Sequence, residues 1–472
     1  MKTNIRKISA GFVRRTILFV VLATSGLWQG CGGDEQDGGD GAEARLSVSP
    51  SVLSFAAEGG TQTLVLEADG RWTVESSDDA TWVSLSVDRG SSSARIAVTA
   101  ARYIGTADRH AVLTVKSADG ARTETVRVEQ SKPQADRPDA AGTANCYMAA
   151  PGSILLIEAV CRGNSRTEKV GRWTEAELLW QDEKGLIRTV EYDSALQTIL
   201  FTTAPKSGNA SVGVRDETGR ILWSWHIWVT DYDPSAGMYT YAPAAGAQWT
   251  FMDRNLGATS AKPGDFGAFG LLYQWGRKDP FTAAGGFSET APKERPLYDI
   301  EGHVLPSMSS LADGYGRLDL SIENPMTFYG TRYATADWSE ESDDDRWGGV
   351  SFGKSVYDPC PAGWKVPVCD AQGRSPYGFI TYDGSTWSES AHGLFCDGGW
   401  FPAAGSRENG NGQLHCTGSY AGLWIGTAGT ANTDPVFPQL YGQYMMVMWD
   451  DHMLRTVKDY RSQGLSVRCV KE

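Results

Sequence analysis

A mainly β chain is what this sequence predicts: two β-sandwich domains followed by a larger, turn-rich domain of irregular α+β character. Three observations lead there. The 472 residues include 54 Gly, 17 Trp and 18 Tyr, a balance unlike the Ala, Glu, Lys and Leu of long helical proteins. Residues 44–131 alternate apolar and polar side chains in short runs broken by Gly and Asp, the period-two signature of strands with one buried face. Residues 209–228 read as a hairpin dense in Trp. The length itself suggests about three domains.

Residues 1–30 are expected to be a lipoprotein signal peptide and are set apart from the fold. Lys2, Arg6, Lys7, Arg14 and Arg15 precede an apolar run from Ile17 to Ala23, far short of the ~20 residues a spanning helix needs. Leu27-Trp-Gln-Gly-Cys31 resembles a bacterial lipoprotein processing site, which implies that Cys31 carries the lipid. It departs from that pattern at Trp28, where Leu is preferred. An ordinary secretory signal with an incidental Cys31 is the competing reading. Residues 31–43 form an acidic, Gly-rich tether, too polar to build a core. It resembles the stretch that follows the lipidated Cys in surface-exported lipoproteins. The implied location is the outer membrane, lipid-anchored and exposed on the cell surface, with the membrane touched through the anchor only.

Within residues 44–131, Thr61 to Glu67, Arg95 to Thr99, His110 to Val115 and Thr125 to Glu129 alternate, with Ala-Glu-Gly-Gly and Ser-Ala-Asp-Gly turns between such runs. Leu46-Ser-Val-Ser-Pro50, Glu58-Gly-Gly-Thr61, Gly70-Arg-Trp-Thr-Val74, Trp82-Val and the closing Thr-Val-Arg-Val-Glu-Gln130 resemble the BACON domain family. The resemblance implies an immunoglobulin-like β-sandwich, often associated with carbohydrate. Strand context makes Trp72 and Trp82 core residues rather than sugar platforms. A Pro-containing polar linker from Lys132 to Ala141 leads to a second β-sandwich at 142–238. There the strand Asn209 to Arg215 is expected to pair with Arg220 to Trp228. Ile221, Trp223, Trp225 and Ile227 then share one face and Leu222 and Trp228 the other, so both faces look covered. His226, with no second ligand at metal spacing, reads as structural.

Residues 239–472 carry Phe251-Met-Asp-Arg-Asn-Leu-Gly-Ala-Thr259, Gly270-Leu-Leu-Tyr-Gln-Trp-Gly-Arg-Lys-Asp-Pro-Phe281, Tyr357-Asp-Pro-Cys-Pro-Ala-Gly-Trp-Lys-Val-Pro367, Phe401-Pro-Ala-Ala-Gly405 and a final Leu-Ser-Val-Arg-Cys-Val. In order and spacing these resemble the Fibrobacter succinogenes major paralogous domain. That implies an α+β C-type-lectin-like head with its termini brought together. The full expectation is two N-terminal immunoglobulin-like β-sandwiches followed by this head.

The charge balance, 43 basic against 57 acidic side chains and −14 net, argues against nucleic acid or an anionic membrane surface as partner. No Gly-x-Ser-x-Gly, His-Glu-x-x-His or Cys-x-x-Cys occurs, and none of the six His lie two to four apart. No cofactor, metal or catalytic residue is therefore expected, and the chain is read as a binder rather than an enzyme. The enzymatic alternative, from the fold resemblance, is a formylglycine-generating-like oxidase, which would need reactive cysteines among Cys396, Cys416 and Cys469. The six acidic residues between Asp337 and Asp345 read as a solvated loop rather than a calcium site.

Binding is expected on the loops from 426 to 463, where Tyr441, Tyr444, Trp449, Asp450, Asp451, His452 and Tyr460 stand among polar turns. Flat rings beside hydrogen-bond acceptors suit a sugar or a protein surface. Trp400 and Trp424 read as core. The partner is an extracellular glycan or, alternatively, a host or bacterial surface protein, the chain then being an adhesin or fimbria-associated subunit. Of eight cysteines, seven lie beyond Cys31, so at least one has no mate within the chain. The head resemblance implies a Cys360–Cys469 disulfide. Cys396 with Cys416 and Cys146 with Cys161 are the further expected pairs, leaving Cys369 free.

Overall fold

The computed structural model describes residues 45–140, 142–288, 291–311, 316–330, 336–349, 353–429 and 440–472. The signal segment, the tether and Cys31 lie outside the described residues. The chain is mainly β, at 46% strand and 3% helix. The only α-helix among the described residues is Leu318–Glu323, so the head is built of strands and loops with less helix than expected.

In residues 46–130 two sheets share one core. One orders its strands Leu46–Ser49, Gly60–Ala68, Ala94–Ala100 and Val83–Leu85; the other Val52–Phe55, Thr123–Gln130, Arg109–Ser117, Trp72–Ser76 and Arg89–Gly90. Alternation sends Leu64, Leu66, Ile96 and Val98 inward to meet Leu113, Val115, Val126 and Val128. Each such side chain contributes about 1.5–3 kcal/mol on burial. Trp72 is buried and its indole N–H donates to the Ser92 carbonyl at 2.8 Å. Trp82 packs on the same core, with the Arg109 guanidinium stacked 4.3 Å from its ring and 4.0 Å from that of Tyr103.

The second β unit has a sheet ordered Cys146–Ala149, Ile221–Val229, Gly208–Arg215 and Glu175–Gln181, and another ordered Ile154–Glu158, Thr198–Thr203 and Ile187–Asp193. The expected hairpin forms, with Val212 opposite Trp225 and Val214 opposite Trp223. Trp223, Trp225 and Ile227 fill the unit's own core. The opposite face of that strand is covered by the head: Trp228 joins Leu256, Leu271, Trp275 and Trp424 in a core the two regions share.

The largest head sheet orders Phe281–Thr282, Leu271–Gln274, Gly464–Ser466, Tyr420–Ala428, Tyr441–Met448 and Met453–Tyr460. The ends of the head meet in a second sheet, where Phe251 pairs with Val470 and Trp364 with Lys471. The Cys360–Cys469 disulfide staples this junction, closing a separation of 109 residues.

The other two expected disulfides do not form. Cys146, Cys161, Cys396 and Cys416 are free, as is Cys369. Cys146 is buried in the shared core, whereas Cys161 sits in a surface loop where the Lys169 ammonium donates to its sulfur at 3.4 Å. Cys396 packs on the core below the Tyr441–Met448 sheet that holds Phe401 and Leu423, while Cys416 leans on the opposite, shared core. Cys146 is thus inside while Cys161 is at the surface, and Cys396 and Cys416 face different interiors.

Much of the head is loop, and buried charged side chains satisfy its backbone. Arg277 donates to the carbonyls of Thr327, Asn324 and Pro325 at 2.6, 3.2 and 3.1 Å. Lys354 donates to those of Cys360, Pro361 and Trp364 at 2.7, 2.7 and 2.6 Å. Asp358 accepts from the amides of Cys360 and Val366. Arg468 bonds the Trp400 carbonyl and Asn255, its guanidinium 3.7 Å from the Phe401 ring. Lys278 and Asp279 reach across to Ser224 of the second unit at 2.6 and 2.7 Å. The charged letters of the Gly270–Phe281 motif are therefore structural fasteners.

His226 belongs to the same seam. Its Nε2 lies 2.9 Å from Asn209 Oδ1, while the Asn209 amide donates to Asp182 and to the Gly257 carbonyl of the head. Nε2 therefore carries the proton, and Nδ1 is buried without a partner. Burial pushes the ring down to about 3 from its ordinary 6.5. Below pH 6.5 the unfolded chain takes up a proton that the folded chain refuses until about pH 3, so this residue withdraws stability as pH falls through that window. His226→Gln should flatten the fall in urea midpoint between pH 6.5 and 4.5; an unchanged slope would contradict this.

Candidate binding site

The two last long strands, Tyr441–Met448 and Met453–Tyr460, form a hairpin with Tyr441 opposite Tyr460 and Met448 opposite Met453. Trp449, Asp450, Asp451 and His452 make its turn, closed by the His452 amide donating to the Trp449 carbonyl at 3.0 Å. His452 takes the left-handed conformation, φ 54°. At ~3.3 Å per residue, the two ends of an eight-residue strand lie roughly 23 Å apart. The expected site residues therefore separate into three places.

Tyr441 and Tyr460 pack edge to face, ring centroids 6.1 Å apart, at the far end. Tyr444 points into the shared core, only 4% exposed, edge-on to Trp424 at 5.7 Å. Burial pushes its hydroxyl up to about 12. Its assignment as a ligand contact is corrected: period two along the strand puts Tyr444 and Met446 on the shared-core face, and Met445 and Val447 on the opposite buried face. The turn is the most open of the three places, with Asp450, Asp451 and His452 exposed.

There the structure adds two rings that local sequence could not link to the turn. Tyr382 lies 4.5 Å from Trp449 with planes 13° apart, and 4.6 Å from His452 at 16°. Trp387 lies 6.4 Å from Trp449 at 12°. Four near-parallel rings thus form a column in the order Trp387, Trp449, Tyr382, His452. Such pairs contribute about 0.5–1.5 kcal/mol each beyond area burial. Trp387 and Trp449 are half-buried and anchor the column on the core beneath, while Tyr382 is 39% exposed. The strand Thr386–Ser388, paired with Gly393–Cys396, fixes Trp387. The surface joins aromatic area to carboxylate acceptors at Asp450 and Asp451. It can take up an apolar face and accept from hydroxyls beside it.

The thiols weighed for chemistry differ in kind from a reactive cysteine. Cys469 is in the disulfide. Burial pushes Cys396 up to about 11 and raises Cys416, opposite to the lowered pKa of a reactive thiolate. The acidic stretch after Asp337 is only partly solvated: Asp337 is buried, 3.3 Å from Arg461. Asp299, Glu301 and His303 place ligand atoms within 4.8 Å of one another on a largely exposed turn, where His303 Nδ1 lies 3.0 Å from Asp299.

Residues 71–131 match the family model BACON, "Putative binding domain, N-terminal". The match lies wholly within the first sandwich. No curated protein matches the chain. Among solved structures, a Bacteroides ovatus GH5 xyloglucanase in complex with a XXXG heptasaccharide is similar at 26% identity over 21% of each chain, TM-score 0.18. The chain thus spans about a fifth of that enzyme's length. A Bacteroides thetaiotaomicron protein is similar at 15% identity over 21% of this chain and 98% of its own, TM-score 0.16. The E. coli chaperone DraB is similar at 12% over 39% and 97%, TM-score 0.16.

The split of Tyr444 from the turn has a direct readout. Tyr444→Ala should cost about 3–5 kcal/mol, as for other buried aromatics. Trp449→Ala, removing a half-buried ring, should cost about half that or less. Urea unfolding of both variants measures it, and equal losses would contradict the separation.

Proposed function

We propose that this chain is an outer-membrane lipoprotein, anchored through Cys31 and exposed on the cell surface, that binds an extracellular glycan with its head. The observation that carries this reading is the column of four near-parallel rings at the hairpin turn, flanked by the exposed carboxylates Asp450 and Asp451. A sugar ring has an apolar C–H face and a rim of hydroxyls. Aromatic surface takes the first, at about 1.5–3 kcal/mol per side chain newly buried, and carboxylates accept from the second. The match of the first sandwich to a family described as a binding domain fits the same purpose. So does an acidic chain of net charge −14, which disfavours nonspecific capture of nucleic acid.

The test is retention of residues 45–472 on a glycan array beside a panel of surface proteins. Wild-type protein should bind at least one glycan. Tyr382→Ala with Trp449→Ala should lose that binding while keeping a cooperative melt, and Asp450→Asn with Asp451→Asn should weaken it. Undiminished glycan binding by the ring variant would move the site elsewhere. Binding to a protein and to no glycan would replace the ligand class.

A further inference from the structure

A cavity of about 320 Å³ lies between the second β unit and the head. Leu222 of the Ile221–Val229 strand and Ile322 of the Leu318–Glu323 helix form apolar parts of its wall, and Arg162, Arg220 and Arg317 supply three cations. Two of the three are answered on the spot. Arg317 lies 2.9 Å from Asp319, and Arg220 lies 3.5 Å from Glu323 and 3.2 Å from Asp216. Glu341, also on the wall, adds its charge to that of Asp319 in raising the pKa of Arg317.

Arg162 has no such answer among the described residues. Its Nε is shielded from solvent with no hydrogen-bond partner. Its guanidinium sits 5.4 Å from the Trp223 ring, which a second cation, Lys278, approaches at 4.6 Å. Lys278 is itself committed to Asp279 at 2.5 Å. A guanidinium beside a like charge and without an anion of its own is costly, and an anion entering the cavity offsets that charge.

We propose that this cavity binds one carboxylate group carried on an apolar stem, and that Arg162 receives it. A single carboxylate fits because the other two cations are already paired. The guanidinium fork matches carboxylate geometry with two parallel N–H donors. Leu222 and Ile322 accept the stem. The volume, at the low end of the ~300–1,000 Å³ of ligand pockets, suits a short aliphatic acid or the last residues of a peptide. The site is separate from the aromatic turn, and neither depends on the other.

The test is calorimetric titration of the full chain with hexanoate, with hexanamide, and with the tetrapeptide Ala-Ala-Val-Leu as free acid and as C-terminal amide. Hexanoate should bind and hexanamide should not. Arg162→Gln should weaken hexanoate about tenfold or more, with Arg162→Lys intermediate. A peptide acid that outbinds hexanoate, with its amide inert, would identify a partner's C-terminus as the source. Hexanoate binding without the peptide would identify a small carboxylate. Equal binding of hexanoate and hexanamide, or no carboxylate binding, would overturn the proposal. That wild-type comparison decides even if the Arg162 variants lose stability.

Discussion

The head depends on buried cations that donate to loop carbonyls. A loop-rich interior leaves backbone oxygens without the ladder partners that strands supply, and each buried oxygen left alone costs about 1–3 kcal/mol. Arg277 and Lys354 each reach into a loop and occupy several of its carbonyls, and Arg468 occupies the Trp400 carbonyl on the short strand Gly399–Pro402. A guanidinium or ammonium alone in such a place would be prohibitive. Here most of its donors are used, only Arg277 Nε and Arg468 Nη1 lacking a hydrogen-bond partner, and Asp279, Asp358 or a flat ring face offsets the charge. Replacing Arg277 or Lys354 removes a partner from several carbonyls at once, which is worse than losing an ordinary hydrogen bond.

The same chemistry welds the head to the second β unit. Lys278 and Asp279 bond Ser224, Asn145 donates to the carbonyls of Val356 and Asp358, and Trp228 sits in a core made mostly of head residues. The Cys360–Cys469 bridge lies in that core beside Cys146. Rigid placement of the last hairpin follows, because its strand Tyr441–Met448 is clamped between two buried layers. The turn at its end is thereby held out with its rings already stacked, which reduces the ordering cost of binding there.

Regular structure was legible in the sequence and irregular structure was not. Alternation marked the inward residues of the first sandwich because a strand with one buried face must repeat every second residue. Apolar residues on both faces, Trp223 and Trp225 on one and Leu222 and Trp228 on the other, marked a strand covered on both sides, without saying that the second cover was the head. Tyr444 misled because it was grouped with the polar turn that follows it, whereas its register places it on a buried face. Tyr382 and Trp387 were invisible as partners of Trp449, lying 67 and 62 residues away with no spacing rule to connect them. Cysteine pairing failed where only proximity in sequence suggested it, and held for Cys360 and Cys469, where a family pattern did.

Cooperativity between the second β unit and the head is the central claim, and fragment unfolding tests it most directly. Residues 142–472 in urea, followed by Trp fluorescence and by far-ultraviolet circular dichroism, should unfold in one coincident transition. Residues 239–472 alone, deprived of Trp228, Ser224 and Asn145, should show no cooperative transition. A head fragment that unfolds cooperatively at the midpoint of the longer chain would contradict the account.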